Sequence, residues 1–216
     1  MVRTNLLEFF GHDADARVDA ALAALRKGRG ILVVDNEDRE NEGDLVFAAE
    51  TITDAQMAFM IRECSGIVCV CIREEQADRM GLPMMVSHNT STYGTAFTIS
   101  VDAACGVTTG VSAPDRVKAI KAVINPQGEP DDLVAPGHTF PLVAKKNGVL
   151  ERDGHTEASV DFARLAGFVP AGVLCELCAP DGLMAKLPRV TAFAMEHDLT
   201  VVSIADLIAY RKAQNV

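Results

Sequence analysis

Apolar positions along the chain recur with two periods, and the periods alternate. Over residues 15–27, Val18, Ala21, Leu22 and Leu25 fall at i, i+3, i+4 and i+7, which predicts an amphipathic helix closed by Gly28 and Gly30. The run ILVV (31–34) then reads as a short strand, and LVFAA (45–49) as a second. Thr53 followed by Gln56 has the spacing of a capping box and opens a helix to about Cys64. IVCVCI (67–72) is apolar and β-branched at nearly every position, the signature of a strand covered on both faces. A short charged helix over 74–80 stops at Gly81, a strand is expected over 96–101, and Ser112 with Asp115 caps a helix to about Val123.

The second half continues the alternation. Residues 124–138 hold three prolines and two glycines and read as a long loop. A strand over 140–144 follows, with Asn147-Gly148 as a hairpin turn and Val149-Leu150 as its return. The segment RDGHT leads into the helix EASVDFARLAG, ended by Gly167; VLCELC (173–178) is a strand, 187–197 a helix and LTVVSI (199–204) a strand. A last helix is capped by Ser203 and Asp206. Strands and helices are interspersed without repeat, linker or low-complexity tract, so the expectation is a single α+β domain over 1–216, a mixed sheet flanked by helices.

Composition narrows the partners. With 20 Lys+Arg against 30 Asp+Glu the formal charge is −10, which disfavours nucleic acid and anionic lipid, and no basic cluster offers a counter-patch. No apolar run reaches the roughly 20 residues of a membrane span, and the start MVRTNLLEFFGHD lacks a signal-peptide layout. The six cysteines form no disulfide framework, and the lone pair Cys175 and Cys178 sits in an apolar strand as core thiols. Reduced cysteines with an acidic balance point to a cytoplasmic protein.

One stretch breaks the pattern. DNEDRENEGD (35–44) packs Asp35, Glu37, Asp38, Glu40, Glu42 and Asp44 around Arg39, between two segments that read as buried strands. A solvated loop is the plain reading of such a run. Carboxylates gathered at the edge of a core repel one another, however, and a divalent cation would compensate them. An EF-hand is excluded: with Asp38 first, the twelfth position is Ala49 instead of a bidentate glutamate, and the flanks are strands.

Other candidate chemistry is more scattered. In 152–156, a glycine between polar residues opens a helix, so Arg152, the backbone N–H groups and Thr156 can grip a phosphate and His155 can ligate a metal; alternatively Thr156 only caps the helix. His138 is a general base or an ordinary loop histidine. Glu176, in an otherwise apolar strand, needs a partner or a function. Tyr93, Thr108 and Thr109 are hydrogen-bonding lining or turn residues. No GxGxxG, Walker, HExxH or GxSxG pattern occurs.

Taken together, DNEDRENEGD, SGIVCVCI, LPMM, HNTSTYGTAFTISVDAA, GVTTGVSAPDR, PGHTFPL, DGHTEASVDFARLAG and GVLCELC closely resemble the 3,4-dihydroxy-2-butanone 4-phosphate synthase family, over nearly the whole chain. The resemblance implies a lyase that converts D-ribulose 5-phosphate to L-3,4-dihydroxy-2-butanone 4-phosphate and formate for riboflavin biosynthesis. It also implies bound Mg2+ or Mn2+, a homodimer with its active sites close to the subunit interface, and here the single-function form. By that resemblance Glu40 and His155 are the metal ligands. Arg39, Glu40, Asp44, Arg152, Asp153, Gly154, His155, Thr156 and Glu176 line the substrate site, and His138 and Glu176 are the positions essential for turnover. Two departures stand out: Asn36 where the family commonly has aspartate, and Asp153 where a small residue usually follows the arginine. The competing classes are a sugar-phosphate binder without this turnover and a calcium-buffering protein.

Overall fold

A computed structural model of the chain describes residues 6–216. Seven strands form one sheet: β1 (Ile31–Val34), β2 (Gly43–Ala48), β3 (Cys69–Ile72), β4 (Val101–Ala103), β5 (Leu133–Val143), β6 (Gly172–Glu176) and β7 (Thr200–Ser203). Their order is β4-β5-β3-β6-β2-β1-β7. β1 runs parallel to β7 and β3 to β5, whereas β1–β2, β2–β6, β3–β6 and β4–β5 are antiparallel, so the sheet is mixed as the interspersed pattern predicts. The helices are α1 (Ala14–Arg26), α2 (Asp54–Glu63), α3 (Glu74–Arg79), α4 (Ala113–Ile124), α5 (His155–Ala166), α6 (Leu187–Glu196) and α7 (Ile204–Gln214).

Side-chain alternation on the strands sorts the core into two layers. Leu32, Val34, Leu45, Phe47, Val70 and Val173 face α2, α4 and α6, meeting Met57, Met60, Ile120, Val190 and Phe193. Ile31, Val33, Val46, Cys69, Cys71 and Leu174 face α1, α5 and α7, meeting Leu22, Leu25, Phe162 and Leu207. All four residues of β3 are buried, which explains its continuous apolar run. α2 carries the expected capping box between Thr53 and Gln56, and α5 ends on Gly167 in the left-handed region at φ 95°. α1 and α7 are tied by a buried bidentate pair, Arg17 Nε and Nη2 donating to Asp206 at 2.8 and 2.6 Å.

Three expectations fail. The supposed loop over 124–138 is loop only in its first part, because β5 begins at Leu133 and runs eleven residues to Val143. Pro136 hides the start of β5 by removing a ladder donor, and the β4 pairing shifts register between Val101 and Asp102 to accommodate the segment, while the strand expected over 140–144 is the end of the same β5. The strand expected over 96–101 is displaced to β4, with Phe97 and Thr98 making only isolated bridges. Asn147-Gly148 opens a 3-10 turn (Gly148–Leu150) leading to α5, and no return strand exists there. The buried Asp161 carboxylate accepts from Val149 N at 2.9 Å and so fixes the turn.

The connectivity brings distant segments to one end of the sheet. The β1–β2 bend carries the acidic run. β2 and β6 are antiparallel with Asp44 opposite Glu176, so the C-terminal end of β6 lies beside that bend. α5 precedes β6 and packs back along it, which returns the N-terminus of α5 to the same place.

Candidate active site

The acidic run is folded onto itself. The Asp35 carboxylate, whose side chain is only 1% exposed, accepts the backbone N–H groups of Glu40 (2.9 Å) and Glu42 (2.8 Å) and Arg39 Nη1 (3.0 Å). The same Nη1 donates to Glu40 Oε2 at 2.7 Å. A carboxylate used this way fixes its loop, and the solvated-loop reading does not hold for Asp35, Glu40 or Asp44. Glu37 and Asp38 alone among the acids of the run are exposed.

His155, the first residue of α5, is buried and places Nδ1 3.4 Å from Glu40 Oε2 and 4.0 Å from Asp44 Oδ2. The hydrogen bond with His155, reinforced by Arg39 and opposed by burial, holds Glu40 down at about 2. Burial alone would lower His155, but Asp44, Glu40 and Asp35 outweigh it and lift the imidazole to about 9. Burial pushes Asp44 up to about 7, and Glu176, Glu40 and Glu42 push the same way against His155. Burial also raises Glu42.

Glu40, Glu42, Asp44 and His155 line an open cleft with Arg39, Arg152, Thr156 and Glu176, over an apolar floor of Cys69, Phe97, Leu142 and Leu174. Glu176 accepts from Ser65 Oγ at 2.6 Å. Arg152 Nη1 donates to the buried Glu157 at 2.5 Å. Gly154 makes that pairing possible, since a Cβ there would collide with Arg152 Nη1 and come within 2.8 Å of Glu157 Oε2. Glu157 also accepts from Lys145 N at 3.0 Å, so α5's first turn is anchored from behind.

Asp153 lies at the rim, half exposed, 3.8 Å from Arg39 Nε. His138 is not part of the cleft of its own chain. It sits on β5 with Nδ1 2.8 Å from Asp102 Oδ2, and Asp102 Oδ1 accepts the His138 backbone N–H at 2.9 Å. Thr108 shows turn chemistry, its hydroxyl donating to Asp115 at 2.7 Å. All six cysteines are free; Cys64, Cys69, Cys71 and Cys175 are buried and Cys178 half-buried. Asp102, Glu157 and Ser65 escaped the sequence reading; the one visible signal was Asp102, an acid inside the apolar strand pattern ISVDAA.

The donor set suits a hard divalent cation. Asp35, Glu40 and His155 each offer a ligand atom, all within 4.8 Å of one another. Two buried polar atoms of the cluster, Asp44 Oδ1 and His155 Nε2, have no hydrogen-bond partner. Orphaned buried polar atoms are costly, and a cation with its waters would satisfy them.

Fold and site together define a mixed-sheet α/β protein whose cleft sets a buried acid–histidine cluster beside two arginines. The family model described as 3,4-dihydroxy-2-butanone 4-phosphate synthase matches residues 19–210, and the chain belongs to that family. A 3,4-dihydroxy-2-butanone 4-phosphate synthase of Nitratidesulfovibrio vulgaris (strain Hildenborough) is 62% identical over 208 residues, 96% of this chain and 97% of the relative. A solved synthase in complex with two magnesium ions matches at TM-score 0.86 and 40% identity, over 91% of this chain and 97% of that one. A two-domain synthase from A. baumannii matches at TM-score 0.87 and 44% identity over 90% of this chain, which spans 57% of that protein.

Proposed function

We propose that the chain, as one domain over 1–216, is a lyase that converts D-ribulose 5-phosphate to L-3,4-dihydroxy-2-butanone 4-phosphate and formate, a step of riboflavin biosynthesis in the cytoplasm. The observation that carries this reading is the meeting of Glu40, Asp44 and His155, two of them with orphaned buried atoms, beside Arg39 and Arg152. The reaction balances in atoms and electrons: a five-carbon ketose phosphate yields a four-carbon ketone phosphate and formic acid, with no oxidant or reductant.

Glu40 and His155 would hold Mg2+ or Mn2+, with Asp35 fixing the loop that carries Glu40. A bound ion supplies Lewis-acid stabilisation of negative charge developing on the sugar oxygens. Arg152, Thr156 and the N–H groups of Gly154 and His155 at the start of α5 bind and orient the phosphate. Asp153 tempers that grip. Arg39 and Asp44 line the substrate site. Glu176, held by Ser65, and Glu42 are placed to move protons at the sugar.

His138, oriented by Asp102, is a second acid–base group. Its place outside its own cleft fits a homodimer with active sites near the interface. The surface beside it supports this, since Val134, opposite Asp102 in the β4–β5 pairing, and Val111, next to Gly110, are both exposed and apolar.

Incubation with D-ribulose 5-phosphate and Mg2+ should release formate and the four-carbon phosphate in equal amounts, and chelation should stop it. Binding of the sugar phosphate without formate would overturn the assignment in favour of a binder. Calcium uptake without any sugar-phosphate chemistry would overturn it in favour of a buffer.

A further inference from the structure

Tyr93 stands exposed at the mouth of the cleft and meets both of its arginines. Its hydroxyl donates to the Arg39 carbonyl at 2.9 Å, and its ring lies under the Arg39 guanidinium, whose Cζ is 5.1 Å from the ring centroid. The Tyr93 carbonyl accepts from Nε (3.3 Å) and Nη2 (3.1 Å) of Arg152. Two residues on, Thr95 Oγ1 accepts from the same Nη2 at 3.3 Å. The segment is braced internally: Asn89 Nδ2 donates to the Thr95 carbonyl and Ser91 N to Asn89 Oδ1, both at 2.9 Å.

Without this segment, the close contacts hold each arginine on its own side, and Arg39 meets the segment of Arg152 through the long, half-exposed Asp153 pair at 3.8 Å. Arg39 is fixed by Asp35 and Glu40, and Arg152 by Glu157. The close contacts orient each guanidinium toward carboxylates of its own segment, and the exposed Asp153 pair, too long at 3.8 Å for a hydrogen bond, does not fix the spacing between the two arginines. Tyr93 spans that gap with a hydrogen bond and a cation–π contact on one side and a two-donor grip on the other. It touches neither Glu40's carboxylate nor His155.

We infer that Tyr93 is a positioning residue for the anionic end of the substrate, setting the separation of Arg39 and Arg152 without contributing to the cation ligands. The inference rests on the functional reading above for the identity of that substrate, and on the contacts alone for the role of the tyrosine. It explains a sequence feature left open between lining and turn: the tyrosine is both, a turn residue whose side chain and carbonyl shape the cleft.

The test compares the full chain with Tyr93→Phe and Tyr93→Ala. Readouts are KM and kcat with D-ribulose 5-phosphate and Mg2+, affinity for inorganic phosphate by 31P line broadening, Mg2+ affinity and melting temperature. Tyr93→Phe keeps the ring and loses one hydrogen bond, so KM and the phosphate dissociation constant should rise about threefold to fivefold. Tyr93→Ala also loses the cation–π contact and should raise both about tenfold to twentyfold. Changes in kcat and Mg2+ affinity should stay within about twofold, because the cation ligands are not touched. Unchanged phosphate affinity in both variants overturns the role, as does a fall in melting temperature with KM and phosphate binding intact. Should Tyr93→Ala fail to fold, Tyr93→Phe decides alone. If the unaltered protein releases no formate, the functional reading falls, and the phosphate affinities still decide for or against Tyr93.

Discussion

Adding Mg2+ to the metal-free protein at pH 7 should expel close to one proton. His155 is lifted from its ordinary 6.5 to about 9 by Asp44, Glu40 and Asp35, against the opposing effect of burial. At pH 7 such a group is about 99% protonated, and a cation can take its nitrogen only by displacing that proton. The cost is a factor of about 100 in apparent affinity at pH 7 relative to pH above 9, or about 2.7 kcal/mol. Affinity should therefore rise about tenfold per pH unit between 6 and 8 and level off near 9. Asp44, at about 7, is half protonated at neutrality and can add up to about half a proton more. A histidine at its ordinary value would give only about 0.25. Calorimetry in buffers of different ionisation heat counts the protons directly, and NMR titration of the imidazole gives the starting state. Release below about half a proton at pH 7, or an affinity flat between pH 6 and 8, would refute the assignment of His155 as a ligand held protonated by its neighbours.

Three further outcomes follow from other contacts. Asp206→Ala leaves Arg17 buried and unpaired at the α1–α7 contact, so chemical denaturation should show a loss of about 3–5 kcal/mol and the melting temperature should fall by roughly 10 °C; a loss under 1 kcal/mol would show the pair to be dispensable. Asp44→Asn should stabilise the metal-free protein at pH 8 while abolishing turnover. A carboxyl raised from 3.8 to about 7 contributes stability only while protonated and loses it as pH rises through that window, up to about 4 kcal/mol by pH 7. Equal melting temperatures of wild type and variant at pH 8 would contradict it. Gly154→Ala drives a methyl group into Arg152 Nη1 and should weaken inorganic phosphate binding at least about tenfold, read by 31P NMR, with the loss absent if Arg152 does not face the ligand.

Much of this architecture was legible because most elements bury one face or both, and burial writes itself into periodicity. The α1 stripe of Val18, Ala21, Leu22 and Leu25 and the β3 run CVCI needed no tertiary information. The end of β5 was legible as the strand expected over 140–144, but its first part was not, because Pro136 reads locally as a breaker and only the β4 neighbour holds that part extended. The acidic run showed that charge was pinned at a core edge. It did not show that Asp35 is a structural brace while Glu40 faces His155, since those roles are fixed by backbone hydrogen bonds within the bend. Asp102 went unnoticed for the opposite reason: its partner His138 lies 36 residues away, across a register shift.

Three of the shifted groups in the cleft respond to pH with different signs. Glu40, held near 2, contributes stability above 4.5 that is lost as pH falls through 2. His155, lifted to about 9, contributes stability below 6.5 that is lost as pH rises through 9. The Glu40–His155 contact enters both shifts and is counted once in any total, while Asp44 adds to the lift of His155 and Arg39 to the lowering of Glu40. Asp44 works against both, because its charged form is the unfavourable one above 3.8. Between pH 7 and 9 the metal-free cleft is therefore left with an ionised Asp44 and a positive charge on His155 that is being withdrawn. A second positive charge is what the arrangement lacks in that window, and the orphaned Asp44 Oδ1 and His155 Nε2 are the atoms left facing the gap. A cation placed there would replace the departing proton and remove the cost of Asp44 in one step. On this argument the local instability of the acid-rich bend is the source of its affinity for an ion.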